Sequence, residues 1–343
     1  MSKIKPSKGA PYARILGVGG YRPIRVVPNE VILETIDSSD EWIRSRSGIE
    51  TRHWAGPEET VAAMSIEASG KAIADAGIDA EQIGAVVVST VSHFSQTPAV
   101  ATEIADKLGT DRAAAFDISA GCAGFGYGLT LAKGMVVEGS AEYVLVIGVE
   151  RLSDLTDLED RATAFLFGDG AGAVVVGPSK EPAIGPTVWG SEGDKSETIK
   201  QTVPWDRFHV GDVTNLPLDS AGNIKFPAIT QEGQAVFRWA VFEMAKVAQQ
   251  ALDAAGISAD DLDVFIPHQA NVRIIDSMVK TLKLPEHVTV ARDIRTTGNT
   301  SAASIPLAME RLLATGEAKS GDTALVIGFG AGLVYAATVV TLP

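Results

Sequence analysis

The chain has 343 residues, 45% of them hydrophobic and 21% charged, which is enough to bury one large core or two ordinary ones. A formal charge of -14 argues against broad nucleic-acid binding, because nothing overall attracts phosphates. A single cysteine excludes an internal disulfide and a multi-thiolate zinc site, and with a charged N-terminus lacking a cleavage site it points to a reducing cytoplasm.

In chain order, Gly17-Val18-Gly19-Gly20 fails the dinucleotide fingerprint, since Arg22 stands where its third glycine should be. Ala72-Ile73-Ala74-Asp75-Ala76-Gly77-Ile78 reads as a helix end with a glycine cap, followed by a strand over Ala85 to Val88. The uncharged stretch from Gln82 to Thr102 is broken by His93, Gln96 and Pro98, so it is not a membrane span. Asp117-Ile118 ends a strand, and a helix is expected from Phe125 to Val137. Leu145-Val146-Ile147-Gly148 continues the β pattern. Gly168-Asp169-Gly170-Ala171-Gly172-Ala173 runs into Val174-Val175-Val176, a strand where a dinucleotide site needs a helix, so no nicotinamide cofactor is implied. Pro182 to Pro227 lacks a sustained period and reads as an irregular cap that buries Trp189, Trp205 and Phe208.

Beyond that cap the pattern repeats. Phe237, Val241, Met244, Ala248, Ala251 and Ala255 mark one buried helix face. Ala251 to Ile257 resembles Ala72 to Ile78, Val264 to Ile266 matches Ala85 to Val88, Asp293-Ile294 matches Asp117-Ile118, and Leu325-Val326-Ile327-Gly328 repeats Leu145 to Gly148 letter for letter. Ordered matches at an offset of about 180 residues indicate duplication. The expected organisation is therefore α/β: a half over 1–180 and a half over 181–343, packed as one unit. The uncharged end, Thr323 to Pro343, divides at its glycines into two paired strands.

Three polar residues fall at strand ends, two of them, Cys122 and Asn299, in loops expected to correspond between the halves. Cys122 follows Gly121 ahead of the first-half helix, where the positive end of the helix dipole favours a thiolate. Asn299 follows Gly298 in the second half, and His268 follows the strand ending at Pro267. Ligands collect outside the carboxyl ends of strands in α/β sheets, so the three can share a site. A thiolate can hold an acyl group covalently, while a histidine nitrogen and an asparagine amide can donate to a developing enolate oxygen. The turn Gly328-Phe329-Gly330-Ala331-Gly332 can aim a second backbone N–H, at Ala331, beside that of Cys122. The five histidines, at 53, 93, 209, 268 and 287, lack metal-ligand spacing, and no metal is expected. Cys, His and Asn in this order also suit a papain-like hydrolase, but its Cys-Gly-Ser-Cys-Trp type of signature is absent.

With these residues assembled, the chain resembles the β-ketoacyl-acyl carrier protein synthase III family of thiolase-fold condensing enzymes. The resemblance is carried by Asp40-Glu41-Trp42-Ile43, Gly121-Cys122-Ala123-Gly124-Phe125, Phe167-Gly168-Asp169-Gly170-Ala171-Gly172, Pro267-His268-Gln269-Ala270-Asn271 and Gly298-Asn299-Thr300-Ser301-Ala302-Ala303. It implies a five-layered αβαβα thiolase-like fold, a homodimer, and a Cys122-His268-Asn299 triad that condenses an acyl-coenzyme A primer with malonyl-acyl carrier protein, without a cofactor. Trp42 and Arg161 would flank the coenzyme A adenine, with Arg46, Phe237 and Asn271 elsewhere along the channel. Thr97 stands where acetyl-preferring members carry phenylalanine at a dimer-derived gate, which implies room for branched or longer primers. Ala331 replaces a usual glycine in the oxyanion turn. Arg273 and Lys280, seven residues apart on one helical face, and Arg238 would dock the acidic carrier protein.

Overall fold

The computed structural model describes residues 4–110, 112–209 and 216–343. Runs of valine and isoleucine, β-branched and apolar on both sides, form the inner strands of two five-stranded mixed sheets. The first sheet has the order Tyr12–Tyr21, Asp169–Ser179, Tyr143–Arg151, Ile83–Ser89, Ala114–Ile118. The second has Val188–Ser191, Val334–Thr341, Thr323–Gly330, Val264–Pro267, Thr289–Val290, with the same succession of two antiparallel and two parallel pairings. Register repeats as well: Ala85 pairs with Val144 in one sheet and Val264 with Ala324 in the other. The duplicated Ala-Gly-Ile segments cap equivalent helices, with Gly77 and Gly256 both left-handed, at φ +66° and +73°.

Helices fill three layers around the sheets, giving the αβαβα order. Helices Gly124–Glu138 and Ser304–Thr315 lie in the middle, where Phe125, Leu129, Ile305 and Met309 share a core with Val87 and Val146 of one sheet and Ile266 and Val326 of the other. Met64, Ala68 and Ile104 cover the outer face of the first sheet, and Met244, Ala248 and Met278 that of the second. No helix among the described residues is long and apolar enough to cross a membrane.

Three expectations need correction. Asp117 does end a strand, where its carboxylate accepts from the N–H groups of Val100 and Ala101, but Asp293 instead precedes the short helix Ile294–Thr297 and pairs with Arg22 and Arg311. The strand equivalent to Ala114–Ile118 is Thr289–Val290. In the long second-half helix, a π-helical turn over Ala240–Met244 inserts extra backbone between Gly233–Trp239 and Ala245–Ala255. That rotates the first turns, so Trp239 and Ala240 are buried while Phe237 and Val241 are only half-buried. Trp189 and Trp205 are also exposed, at 47% and 40%, because they pack edge-on against Tyr127 and against Phe94 respectively instead of entering a core. The side chain of Phe208 lies outside the described residues.

The middle layer sits so close to the sheets that side chains are excluded at the contact. A Cβ at Gly148 would lie 2.1 Å from the Ala302 carbonyl oxygen, whereas one at Gly134, on an exposed helix turn, would touch nothing within 4 Å. Gly148→Ala should therefore lower unfolding free energy by about 3 kcal/mol or more. Gly134→Ala should raise it by about 0.5–1 kcal/mol. Urea denaturation of the two variants checks both signs.

Candidate active site

Cys122 sits in a 3-10 turn, Gly121–Ala123, that leads directly into the central helix Gly124–Glu138. Gly121 is left-handed, at φ +46°, which lets the chain turn sharply out of the preceding strand. Gly330 admits the thiol: a Cβ there would stand 2.8 Å from Cys122 Sγ. The close approach brings the backbone N–H groups of both Cys122 and Ala331 onto the sulfur. Two N–H groups converging there can serve an oxyanion formed next to it.

His268 is 2% exposed, and its Nδ1 lies 2.7 Å from Ser304 Oγ, on the first residue of the other central helix. Ser304 Oγ already accepts from the Gln269 N–H at 3.3 Å, so its proton is free to point at Nδ1. That arrangement leaves Nε2 carrying the hydrogen. The ring edge meets Phe329 at a centroid distance of 5.3 Å. For Asn299, the side-chain oxygen accepts from the Ser301 N–H at 2.9 Å, which leaves its NH2 group as the free donor. The Asn299 backbone is clamped on both sides, by its N–H to Leu166 and by the Gly168 N–H to its carbonyl.

Cys122, His268, Asn299, Phe329 and Ala331 line one cavity of about 710 Å³. Burial dominates its electrostatics. It lowers His268 to about 3, so the imidazole is neutral, and pushes the Cys122 thiol up to about 11 despite the opposing hydrogen bonds from Ser301 and the two backbone N–H groups. Desolvation thus opposes the helix terminus, which favours the thiolate, at a residue that lines the cavity and is half-buried.

The remaining candidates fall into two clusters and one outlier. Arg161 and Arg46 stand 5.1 Å and 5.8 Å from the Trp42 ring, and Arg161 makes no ion pair among the described residues. Asn271 bridges this cluster to the helix Val272–Leu282, donating to the Arg46 carbonyl and capping the helix at the Arg273 N–H. Phe237 carries the Arg273 guanidinium on its face at 4.9 Å, and Arg238, Arg273 and Lys280 are all exposed. None of Trp42, Arg46, Arg161, Phe237 or Asn271 lines the cavity, but their neighbours Val236 and Ala270 do. Thr97 is exposed and outside the cavity wall, to which the same loop contributes Ser95, Gln96 and Ala99.

Known proteins resemble this chain over its full length. Models of 3-oxoacyl-[acyl-carrier-protein] synthase III and of its C-terminal region match residues 116–193 and 252–342. A β-ketoacyl-[acyl-carrier-protein] synthase III of Streptomyces coelicolor is 94% identical over the full length of both chains, and one from Mycobacterium marinum is 53% identical over 100% of this chain and 99% of that one. The chain belongs to the 3-oxoacyl-[acyl-carrier-protein] synthase III family. It is accordingly an acyltransferase, a condensing enzyme of fatty acid initiation. Among solved structures, the priming β-ketosynthase of a polyketide biosynthetic pathway superposes with a TM-score of 0.94 at 45% identity, covering 100% of this chain and 99% of that one. The synthase III of Aquifex aeolicus gives 0.85 at 36%, covering 96% and 99%.

Four residues that the sequence reading gave no role also shape this synthase site: Ser304, Ser301, Glu150 and Arg52. Arg52 is wholly buried, bonded to the Asn29 side chain and to the Phe165 and Val27 carbonyls, and it supports the segment against which Asn299 is clamped. A strongly hydrophobic environment holds its pKa down to about 10, so it keeps its charge at neutral pH. Ser304 was findable, because duplication aligns it with Gly124 and so places a hydroxyl where the other half has none. Arg52 gave no signal, since nothing in an isolated arginine distinguishes a buried strut from a surface charge.

The His268 ring should show no protonation between pH 8 and 5 in imidazole nitrogen–proton correlation spectra. Its unfolded-state value near 6.5 and folded value of about 3 mean that stability falls as pH drops through that interval. Alkylation of Cys122 in the free enzyme should stay slower at pH 8 than that of an unperturbed thiol, and should accelerate only toward pH 11.

Proposed function

We propose that Cys122 is the acyl-carrying nucleophile of this condensing enzyme, with His268 and Asn299 as enolate donors. One observation carries the assignment: in a single cavity, His268 and Asn299 each have one polar atom tied to a serine, and the free N–H of each remains as a donor beside a cysteine covered by two backbone N–H groups. An acyl thioester carbonyl seated by Sγ would receive the Cys122 and Ala331 N–H groups as its oxygen gains charge, and coenzyme A would leave. Malonyl-acyl carrier protein would then lose carbon dioxide, His268 and Asn299 stabilising the enolate, whose carbon attacks the Cys122 thioester and releases a β-ketoacyl product. Neutral donors suit this step, because a carboxylate in their place would repel the enolate.

The wider assignments follow the same geometry. Trp42 and Arg161 would take the adenine between them, Arg161 moving off the indole face it now covers, with Arg46, Asn271 and Phe237 along the approach. The substrates are acyl-coenzyme A and malonyl-acyl carrier protein, and the chemistry calls on no resident cofactor or metal. The two duplicated units, 1–180 and 181–343, would contribute nucleophile and donors respectively. A homodimer is supported by the place of Ala114–Ile118 at the edge of its sheet, without a further strand partner among the described residues, and by the exposed ring cluster of Phe94, Trp205 and Phe226. Across such an interface Thr97 would gate the partner's acyl pocket and leave room for branched primers.

Intact mass spectrometry should detect an acyl adduct after incubation with acyl-coenzyme A, and Cys122→Ala should abolish it; a persisting adduct would refute the nucleophile. Asn299→Ala should slow malonyl decarboxylation and condensation about a hundredfold or more while acylating Cys122 at nearly the normal rate. Equal losses in both half-reactions contradict that division.

A second test addresses the carrier protein. The chain is acidic overall, so docking would depend on the local surface of Arg273, Lys280 and Arg238, where the one intervening acid, Asp276, is already paired with Arg292 at 2.7 Å. Arg273→Glu should raise KM for malonyl-acyl carrier protein several-fold and leave that for acyl-coenzyme A little changed. An unaltered KM for the carrier substrate excludes this helix as the docking surface.

A further inference from the structure

Gln269 stands next to His268 and yet does not line the cavity. It is 1% exposed, and both polar atoms of its side chain have backbone partners. Its Nε2 donates to the Pro267 carbonyl at 2.7 Å and to the Ala291 carbonyl at 3.3 Å, and its Oε1 accepts from the Ile294 N–H at 3.1 Å. A carboxamide suits this place, since it combines two donors with an acceptor and carries no charge. An apolar side chain there would strand three buried backbone groups, and an ionised carboxylate would face two carbonyl oxygens.

These bonds connect the two donors of the cavity. On one side, the bond to Pro267 spans His268 in the chain, and the Gln269 backbone N–H donates to Ser304 Oγ at 3.3 Å, the hydroxyl that lies 2.7 Å from His268 Nδ1. On the other side, Ile294 opens the helix Ile294–Thr297, which runs through Gly298 into Asn299. The first N–H groups of a helix have no partner within it, and Asp293, the residue placed to cap them, turns its carboxylate to Arg22 and Arg311 instead. Gln269 supplies the missing acceptor from the end of a distant strand. One side chain thus fixes both the turn that carries the imidazole and the start of the helix that delivers the amide.

Resting on the reading that His268 and Asn299 stabilise the enolate, we propose that Gln269 is the positioning residue that holds these two donors at one fixed spacing. An enolate oxygen receives both N–H groups only when they are aimed at the same point, and a displacement of about 1 Å at either costs on the order of a hundredfold in rate. The two donors belong to separate segments of the second half, and the carboxamide joins the backbone of one to the backbone of the other. The Gly121–Ala123 turn is seated differently, against the backbone at Gly328 and Gly330, and no hydrogen bond of Gln269 among the described residues reaches it. Gln269 touches neither the cavity nor the sulfur, so its effect belongs to decarboxylation and condensation and leaves acyl transfer to Cys122 in place.

The test measures two half-reactions separately: acylation of Cys122 by acyl-coenzyme A, read by intact mass, and release of labelled carbon dioxide from malonyl-acyl carrier protein. Gln269→Met, similar in length but without the hydrogen bonds, should slow carbon dioxide release about ten- to a hundredfold and leave acylation nearly unchanged. Gln269→Glu keeps the acceptor for Ile294 and, when protonated, can donate to Pro267, so it should recover part of the lost rate. A double-mutant cycle separates positioning from general loosening of the fold: with the donor pair already broken by Asn299→Ala, adding Gln269→Met should slow carbon dioxide release far less than it does alone. Equal slowing of both half-reactions, undiminished carbon dioxide release, or full additivity with Asn299→Ala, in whichever Gln269 variant folds, overturns the proposal. Undiminished carbon dioxide release in Asn299→Ala alone overturns instead the donor assignment on which it rests.

Discussion

Everything at the site depends on a reciprocal close approach between the two halves. Gly328, the glycine of the second Leu-Val-Ile-Gly, would place a Cβ 2.9 Å from the Cys122 carbonyl oxygen, and Gly148, the glycine of the first, lies against Ala302 and Ala303. Each half's inner strand therefore receives the other half's 3-10 turn. Any side chain at either glycine would push a 3-10 turn away from the sheet, which explains in physical terms why the glycine of this tetrapeptide recurs while most of the duplicated sequence has drifted. It also explains why neither half could present the site alone: the floor under Cys122 belongs to the second sheet.

Within that symmetric frame the two halves have diverged at matched positions. Ser89 is opposite Gly148 in the first sheet, as His268 is beside Gly328 in the second. Gly124 begins one central helix against Ser89, where a Cβ would come within 1.8 Å of its hydroxyl, while Ser304 begins the other and reaches His268 Nδ1 instead. Similarly, the 3-10 turns Gly121–Ala123 and Ser301–Ala303 match, so Cys122 corresponds to Ala302 and not, as the sequence pattern suggests, to Asn299, and Gly121 corresponds to Ser301. One half has thus kept a small, close-packed turn that delivers a thiol, and the other has kept hydrogen-bonding side chains that deliver donors. Duplication supplied two equivalent pockets facing one another, and substitution at four or five positions made them chemically complementary.

Much of this was legible from the chain. The repeat of Leu-Val-Ile-Gly, the glycine caps and the valine-rich strands specify two similar sheets, because caps and β-branched runs act locally. Cys122, His268 and Asn299 emerged by their placement after strands and glycines. What escaped were features set by tertiary contact. The π-helical turn that frees Phe237 to meet Arg273 leaves no trace in a periodic stripe, and Asp293 shares its two-residue pattern with Asp117 while serving an ion-pair network. The exposure of Trp189 and Trp205 was likewise hidden, since an aromatic's sequence context does not reveal whether it meets a core or another surface ring. The helix-dipole argument for the thiolate is a local one, and the desolvation that opposes it comes from residues far along the chain.

Burial of ionisable groups joins the fold to the chemistry. The same enclosure raises Cys122, raises Glu150 and lowers His268, so each group is held in its uncharged form or close to the point of changing it. A neutral imidazole is a donor that does not need to be deprotonated before it meets a malonyl group, and an uncharged thiol does not react until a substrate is in place. In an enzyme that must hold one acyl group while awaiting a second, larger substrate, stray hydrolysis is the competing outcome, and excluding water from charged intermediates suppresses it. The burial that costs stability at three ionisable residues thus keeps their charges out of the cavity that both substrates must enter in turn.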